Sequence, residues 1–409
     1  MSLVEIHMLK NYPPTCLNRD DTGSPKTCMF GAENRARISS QCSKRSYRCS
    51  PLFRQEVGLE IAVRTRKLAD LVCAKLMEKG DYADFLPVVA SKLADFGKGD
   101  GKAKQSKKND DDEVNDGKKS TGADKKKQDK SSITKQIIIY SQDDINAIVD
   151  MVKGLIDSCD TVAAFEKIST KKDIEEKMKD ADTRAITVDI ALFGRMVTSP
   201  GISNVTASLQ VAHAFSTNKV FMESDYFTAV DDLIDGKKEA GSAIIDDCDF
   251  NSSCYYLYAS LDTNMFNNNM KNTDSSGQVI EKVLPALVKT MAFTNPSGKQ
   301  NSFAGNVLPS AILVEFKDYP VAVSYANAFV KPVRASYNVD LVTASVERLA
   351  LFVSQVDKDF CLPVKKRFWF TAGLDSAVKL PVDLVGDTVN CCNFVELIDG
   401  VTGLVKSCG

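Results

Sequence analysis

Arg35, Arg37, Lys44, Arg45 and Arg48 fall within fifteen residues, 34–48, that contain no acid. Guanidinium forks and ammonium groups massed in this way suit the oxygens of phosphate, which arginine grips bidentately. Lys44 and Arg48 are four apart and share one face of a helix, with Arg45 beside them and Ser39 or Ser40 placed to cap its start. Ser39, Ser40 and Gln41 add neutral hydrogen-bonding groups, and Arg19 and Lys26 precede the stretch in a turn-rich loop. The bland reading of such a run is a solvated helix face. Carboxylate chemistry has less to work with. Asp20–Asp21 and Asp231–Asp232 are adjacent pairs that diverge in extended chain, and neither has a histidine near it in sequence. Asp20 is expected to orient Arg19 or cap a turn, and His7 and His213 are expected to be structural.

A net charge of −2 over 409 residues excludes a generally basic surface, so any nucleic acid must be held by charge concentrated locally. Twelve scattered cysteines without a CxxC pair, and two histidines, give neither a disulfide framework nor a zinc site. No cofactor or metal is expected. No run of eighteen apolar residues occurs and the opening MSLVEIHMLKNYPP lacks an apolar leader, so a cytoplasmic protein without membrane contact is expected.

The elements that must position these cations read as α+β. Val4–Leu9 alternates as a first strand with one buried face, ahead of a turn at Pro13 and Pro14. Residues 57–96 and 143–179 carry helical spacing, the second with Ile145, Ile148, Val149, Val152 and Ile156 on one stripe. Residues 97–132 between them are nearly all charged or small, which predicts a disordered insert. RAITVDIALFGRMV reads as a central strand ending near Arg195, and the polar stretch after it as a long excursion. Further on, CYYLYASLD, SAILVEFKD and KKRFWFTAG read as strands and EKVLPALVKTMAF and VERLALFVSQVDK as helices. The sum predicts helices packed on one face of an antiparallel sheet.

Leu17, Asn18, Arg19, Asp20, Asp21, Lys26, Phe30, Gly31, Arg35, Arg37, Ile38, Ser39, Ser40, Gln41, Lys44 and Arg45 together resemble the amino-terminal motif of the CasC family. That family, of the RAMP superfamily, is the crRNA-binding backbone subunit of the type I-E CRISPR Cascade complex. Ala32 stands where its pattern has a second glycine. DIALFGRMVTS, VAHAFSTNKV, DYFTAVDDL, GKQNSFAGNVLP and ANAFVKPV resemble its later segments. The resemblance implies a ferredoxin-like (RRM-like) palm at 1–57, 184–193 and 225–409, an inserted helical fingers domain at 58–183, and a protruding thumb loop at 194–224. It further implies a non-catalytic protein whose copies associate head to tail in a helical filament along crRNA, with other Cascade subunits as partners and target DNA bound through crRNA pairing. Arg195 and Met196 at the base of the thumb join the expected RNA-binding residues, the first on phosphate and the second as a wedge between bases. The rival is a metal-dependent, guide-directed ribonuclease of the same superfamily.

Overall fold

The computed structural model describes residues 2–96, 133–134, 136–179, 184–199, 201–229, 244–273, 277–374 and 378–408. The lysine-rich stretch 97–132 and the pair Asp231–Asp232 lie outside the described residues. The chain divides into two units, one of Met1–Glu60, Ala191–Phe193 and Ala207–Gly409, the other of Ile61–Ile190 and Gly194–Thr206. The strands are β1 (Leu3–Thr15), β2 (Thr27–Phe30), β3 (Glu33–Ile38), β4 (Val63–Thr65), β5 (Ile138–Tyr140), β6 (Leu209–Val211), β7 (Ala214–Ser216), β8 (Glu223–Ala229), β9 (Ile244–Asp262), β10 (Ala311–Lys317), β11 (Val364–Thr371) and β12 (Asp387–Cys391).

In the first unit the sheet runs β12-β11-β10-β1-β9-β7-β3-β2, with β6 and β8 also paired to β9. Every pairing is antiparallel except β11 with β12. β1 lies between β10 and β9, and its residues from Leu3 to Lys10 are all buried, so both of its faces are covered rather than one. It also continues through Pro13 and Pro14 to Thr15 instead of turning there.

Helices cover both faces, not one as the pattern predicted. On one face Leu9, Tyr256, Leu313 and Trp369 pack with Val346, Leu349 and Val353 of the helix Leu341–Phe360. The same face buries Glu5, His7, Glu315, Lys317 and Arg367. They offset one another: Lys317 pairs with Glu5, Arg367 donates to Glu315 at 2.7 Å and to Asp357 of the helix at 2.6 Å, and Tyr325 donates to Glu315 at 2.9 Å. Burial pushes the Glu315 carboxyl up, but His7, Lys317 and Arg367 outweigh it and hold it down at about 2. On the other face Phe370 meets Phe394 of the helix Phe394–Cys408, and Lys10 donates to Thr294 O at 3.1 Å, just past the helix Val279–Phe293.

RAITVDIALFGRMV does not form a strand: Val188–Phe193 is a short helix, ended by Gly194 at φ 80. Val188, Ile190, Ala191 and Leu192 are all buried, and a short apolar run buried throughout carries no period that separates strand from helix. Residues 209–211 and 214–216, expected in a protruding thumb, are strands paired to β9. Leu59 lies outside any helix and is exposed, because Gly58 in the left-handed region ends the helix Pro51–Val57. The second unit is helical apart from the pair β4–β5. Its core gathers Leu68, Val72 and Leu76 with Ile145, Ile148, Val149, Val152 and Ile156, the stripe read from the sequence. No helix among the described residues is long and apolar enough to cross a membrane.

The edge hairpin β2–β3 carries the cationic segment, and two features fix it. Its turn, Phe30-Gly31-Ala32-Glu33, has both central residues at positive φ, 60 and 63, the type I′ arrangement. A Cβ on Gly31 would lie 1.8 Å from Val330 O, so only glycine fits, whereas Ala32 holds its place at a cost. Arg35, fully buried, donates through Nη1 to Ser216 O (3.0 Å) and Thr217 O (2.8 Å) and through Nη2 to Phe329 O (2.9 Å) and Val330 O (3.2 Å).

Four outcomes follow for stability, each read by denaturant titration. Arg35→Met strands four carbonyls and lowers the unfolding free energy by about 3–5 kcal/mol; Arg35→Lys, lacking the fork, costs about 1–3 kcal/mol. Ala32→Gly raises stability by about 1 kcal/mol. Burial lowers the Lys10 ammonium from 10.5 to about 7. Between those values the unfolded chain holds a proton that the folded chain has released, so rising pH favours folding at this residue. Wild type therefore gains stability relative to Lys10→Met as pH rises from 7 to 10.5, and a gap independent of pH contradicts this.

Candidate nucleic-acid interface

The loop between β1 and β2 is laced to the start of the cationic helix. Asn18 Oδ1 accepts from Ser39 N (2.8 Å), Lys26 N donates to Asn18 O (2.8 Å), and Arg37 N donates to Lys26 O (2.8 Å). Asp20 caps the turn within the loop, accepting from Thr22 N (3.0 Å), Thr22 Oγ1 (2.7 Å) and Ser24 N (3.0 Å). Slight burial raises its carboxyl, yet these hydrogen bonds outweigh that and hold it below the usual carboxylate range. Asp20 is thus committed to the shape of the loop.

Ser39 caps the helix Ser40–Cys49, its side chain accepting from Cys42 N at 3.3 Å. Ser43 and Tyr47 are the buried residues of this helix. Gln41 and Arg45 are exposed, and Lys44 and Arg48, four apart, are half-buried. No acid occupies the first turn. Burial lowers the Lys44 ammonium from its ordinary value. Burial raises the Cys42 thiol, while Lys26 and Arg45 beside it act in the opposite sense, which places a loop cation and a helix cation around one side chain. Arg37 Nη1 and Ser40 N each lie 3.3 Å from His213 Nδ1, so this histidine orients the start of the helix.

The geometry brings Arg19, Lys26, Arg37, Ser40, Gln41, Lys44, Arg45 and Arg48 to one connected loop–strand–helix stretch. Arg19, Lys26, Arg37, Lys44 and Arg45 form no ion pair with any acid among the described residues, and of these Arg19 and Arg45 are exposed. Ser39 is buried, and its hydroxyl is given to the cap. Arg35 does not join this surface. Its guanidinium is spent on four backbone carbonyls, and the turn Tyr325–Phe329 supplies part of its cover.

Arg195 and Met196 belong to the other unit. Arg195, expected on phosphate, is buried and paired with Asp144, the residue that completes a capping box with Ser141. It is held within the fold and cannot reach a ligand. Met196, next to it, is 91% exposed, and Val197 turns back into the core.

Lys299 was not among the expected residues, yet it lies beside the loop of Arg19. Burial, with Cys248, pushes the Cys16 thiol up to about 11, and Arg19 and Lys299 act together against that rise. Lys299 Nζ is 2.9 Å from Cys248 Sγ, and its backbone is left-handed at φ 44. The flanking glycines are the signal in sequence: a Cβ on Gly298 would lie 2.2 Å from Leu17 O, and one on Gly305 2.1 Å from Thr15 Cγ2. Among the described residues no group of three or more His, Cys, Asp or Glu could hold a metal ion, and the cysteines are free.

Solved structures share this fold. A chain of a "CRISPR RNA-guided surveillance complex, pre-nicking" superposes with a TM-score of 0.78 at 23% identity, over 98% of this chain and 100% of that one. A chain of a "CRISPR RNA-guided surveillance complex" gives 0.68 at 19% identity with the same coverage. No curated protein matches. The family model described as CT1975-like protein matches residues 4–393, nearly the whole length, and the chain belongs to that CRISPR-associated (Cas) family.

Proposed function

We propose that the chain is a non-catalytic backbone subunit of a Cascade-type surveillance complex, of type I-E by its amino-terminal motif, whose copies polymerise head to tail along crRNA. The observation that carries this reading is the set Arg19, Lys26, Arg37, Lys44 and Arg45, gathered on one loop–strand–helix stretch and forming no ion pair with an acid among the described residues. A subunit that must hold any guide cannot read base edges. It grips phosphate and sugar and leaves the bases free to pair with target DNA. Ser40 and Gln41 supply contacts that salt does not screen, and exposed Met196 is the apolar group available to separate bases. On this reading the sheet-bearing unit is the palm, elaborated from a ferredoxin-like core, and the helical unit is the fingers. The cytosol is the compartment, and other Cascade subunits close the array.

The test is equilibrium binding of the full chain to unstructured single-stranded RNA of several sequences across a salt series. Affinity is expected to be independent of sequence, with log Kd changing by about 0.7 per phosphate neutralised for each unit of log salt. Lys44→Ala with Arg45→Ala reduces that slope by about 1.4. An unchanged slope, or affinity that tracks sequence, overturns the reading. The nuclease alternative is checked by adding Mg²⁺ and complementary RNA: cuts that vanish in Asp20→Ala would make it the better account.

A further inference from the structure

Lys299 is held in a backbone conformation that lysine seldom adopts, and its ammonium meets a sulfur instead of an acid. The helix Gln300–Phe303 is bounded on both sides by left-handed residues other than glycine, Lys299 at φ 44 and Ala304 at φ 48. Such conformations persist only where the surroundings over-determine them. Here Gly298 presses on the carbonyl of Leu17, Gln300 Nε2 donates to Pro296 O at 2.9 Å, and the Phe303 ring lies 5.6 Å from that of Phe250 on β9. Two residues before Phe250 stands Cys248, where β9 pairs with β8 as an exposed antiparallel ribbon rich in acid, at Glu223, Asp225, Asp246 and Asp247. Lys299 forms no ion pair with any of them or with another acid among the described residues. Its Nζ donates to Cys248 Sγ at 2.9 Å.

That contact decides what becomes of the sulfur once it is oxidised. Cys248 is 7% exposed, an opening that admits an oxidant the size of hydrogen peroxide and keeps out the thiol of another protein. A hydroperoxide passes one oxygen to a cysteine sulfur, leaving a sulfenic acid, and a sulfenic acid condenses with a neighbouring thiol or nitrogen. Two candidates adjoin Cys248. The Lys299 nitrogen already touches the sulfur. The Cys16 thiol lies near enough for the two sulfurs to act on one another, but burial first, and Cys248 after it, push it up to about 11, which keeps it in the protonated, unreactive form.

We propose that Cys248 and Lys299 form a peroxide-responsive switch, in which oxidised Cys248 is captured by Lys299 Nζ as a sulfur–nitrogen bond. The balance is that of a two-electron oxidation. Hydrogen peroxide and the thiol give the sulfenic acid and water. The amine then displaces the hydroxyl: the S–O bond breaks, the S–N bond forms, one amine hydrogen leaves with the hydroxyl as a second water, and the ammonium's extra proton passes to solvent. Two equivalents of a thiol reductant return the free cysteine and lysine and leave as a disulfide. In the linked form Lys299 no longer carries its charge beside Arg19, and the loop 296–305 is fastened to β9. The bond is independent of what the protein binds; its effect on RNA rests on the function proposed above.

Hydrogen peroxide in small excess is added to the full chain, and peptides are mapped by mass without reductant. Expected is a linked pair carrying Cys248 and Lys299, lighter by two hydrogens than its separate peptides, lost on adding dithiothreitol and absent from Cys248→Ser and Lys299→Gln. Cys248 joined to Cys16 instead, or oxidised to the sulfinic acid with Lys299 unlinked, overturns the proposal. Salt-series binding to single-stranded RNA reads the consequence. The linked chain loses about 0.7 from the slope of log Kd against log salt, as one phosphate contact implies, and reduced Lys299→Gln loses the same. Cys248→Ser, which keeps a polar acceptor for Lys299, binds alike before and after peroxide. If its slope falls too, another cysteine is responsible and the switch is refuted, as it is if the linked chain keeps its full slope. Should the untreated chain bind no RNA while the link forms, the reading of function falls and the bond stands.

Discussion

The carbonyls of Ser216, Thr217, Phe329 and Val330 converge on one guanidinium, and much else in the structure rests on that convergence. β3 is tied to β7 by only two register pairs, Arg37 with Phe215 and Ile38 with Ala214. Two pairs are a weak attachment for an edge hairpin. Arg35 adds a bidentate grip on the end of β7 and another on the turn Tyr325–Phe329, while Gly31 lets that turn's exit press against the hairpin backbone. Arg37, the Ser39 cap and the cationic helix follow directly from β3, so their placement inherits this clamp. Removing a buried guanidinium that four carbonyls share leaves those acceptors unpaired, so Arg35 fixes its neighbours accordingly.

The division of labour among arginines is therefore structural as much as functional. Arg35 and Arg195 are sealed in by Arg-specific geometry, the one with four carbonyls and the other with Asp144. Arg19 and Arg45 are exposed, and Arg37 is half-buried against His213. A protein with a net charge of −2 can afford an open cationic stretch because its acids are used elsewhere, at Glu5, Glu315 and Asp357 inside the sheet unit and along the exposed ribbon.

Much of this was legible in the sequence. SAILVEFKD and KKRFWFTAG read as strands and form β10 and β11, the stripe from Ile145 to Ile156 marked a helix and its buried face, and of Ser39 and Ser40, both read as possible caps, Ser39 is the one used. What was not legible came from distant cover. Arg35 and Arg37 share one face of β3, and nothing local distinguishes them; the turn that buries the first lies 294 residues away. Arg195 resembled a surface cation until Asp144, 51 residues earlier, supplied its partner. Val188–Leu192 was buried throughout, so it offered no period to read, and β1 had polar residues whose burial depends on partners in β10 and β9. Pattern reports which side chains prefer company, not which segment will provide it.

Asp249 links two parts of the molecule that the chain separates by more than two hundred residues. Its carboxylate accepts from Ser24 Oγ in the Arg19 loop at 2.6 Å and from Ser224 Oγ at the foot of the β8–β9 ribbon. One carboxylate thereby fastens the start of β8 and the loop that presents Arg19 to the same strand, so that removing it would release both hydrogen bonds together.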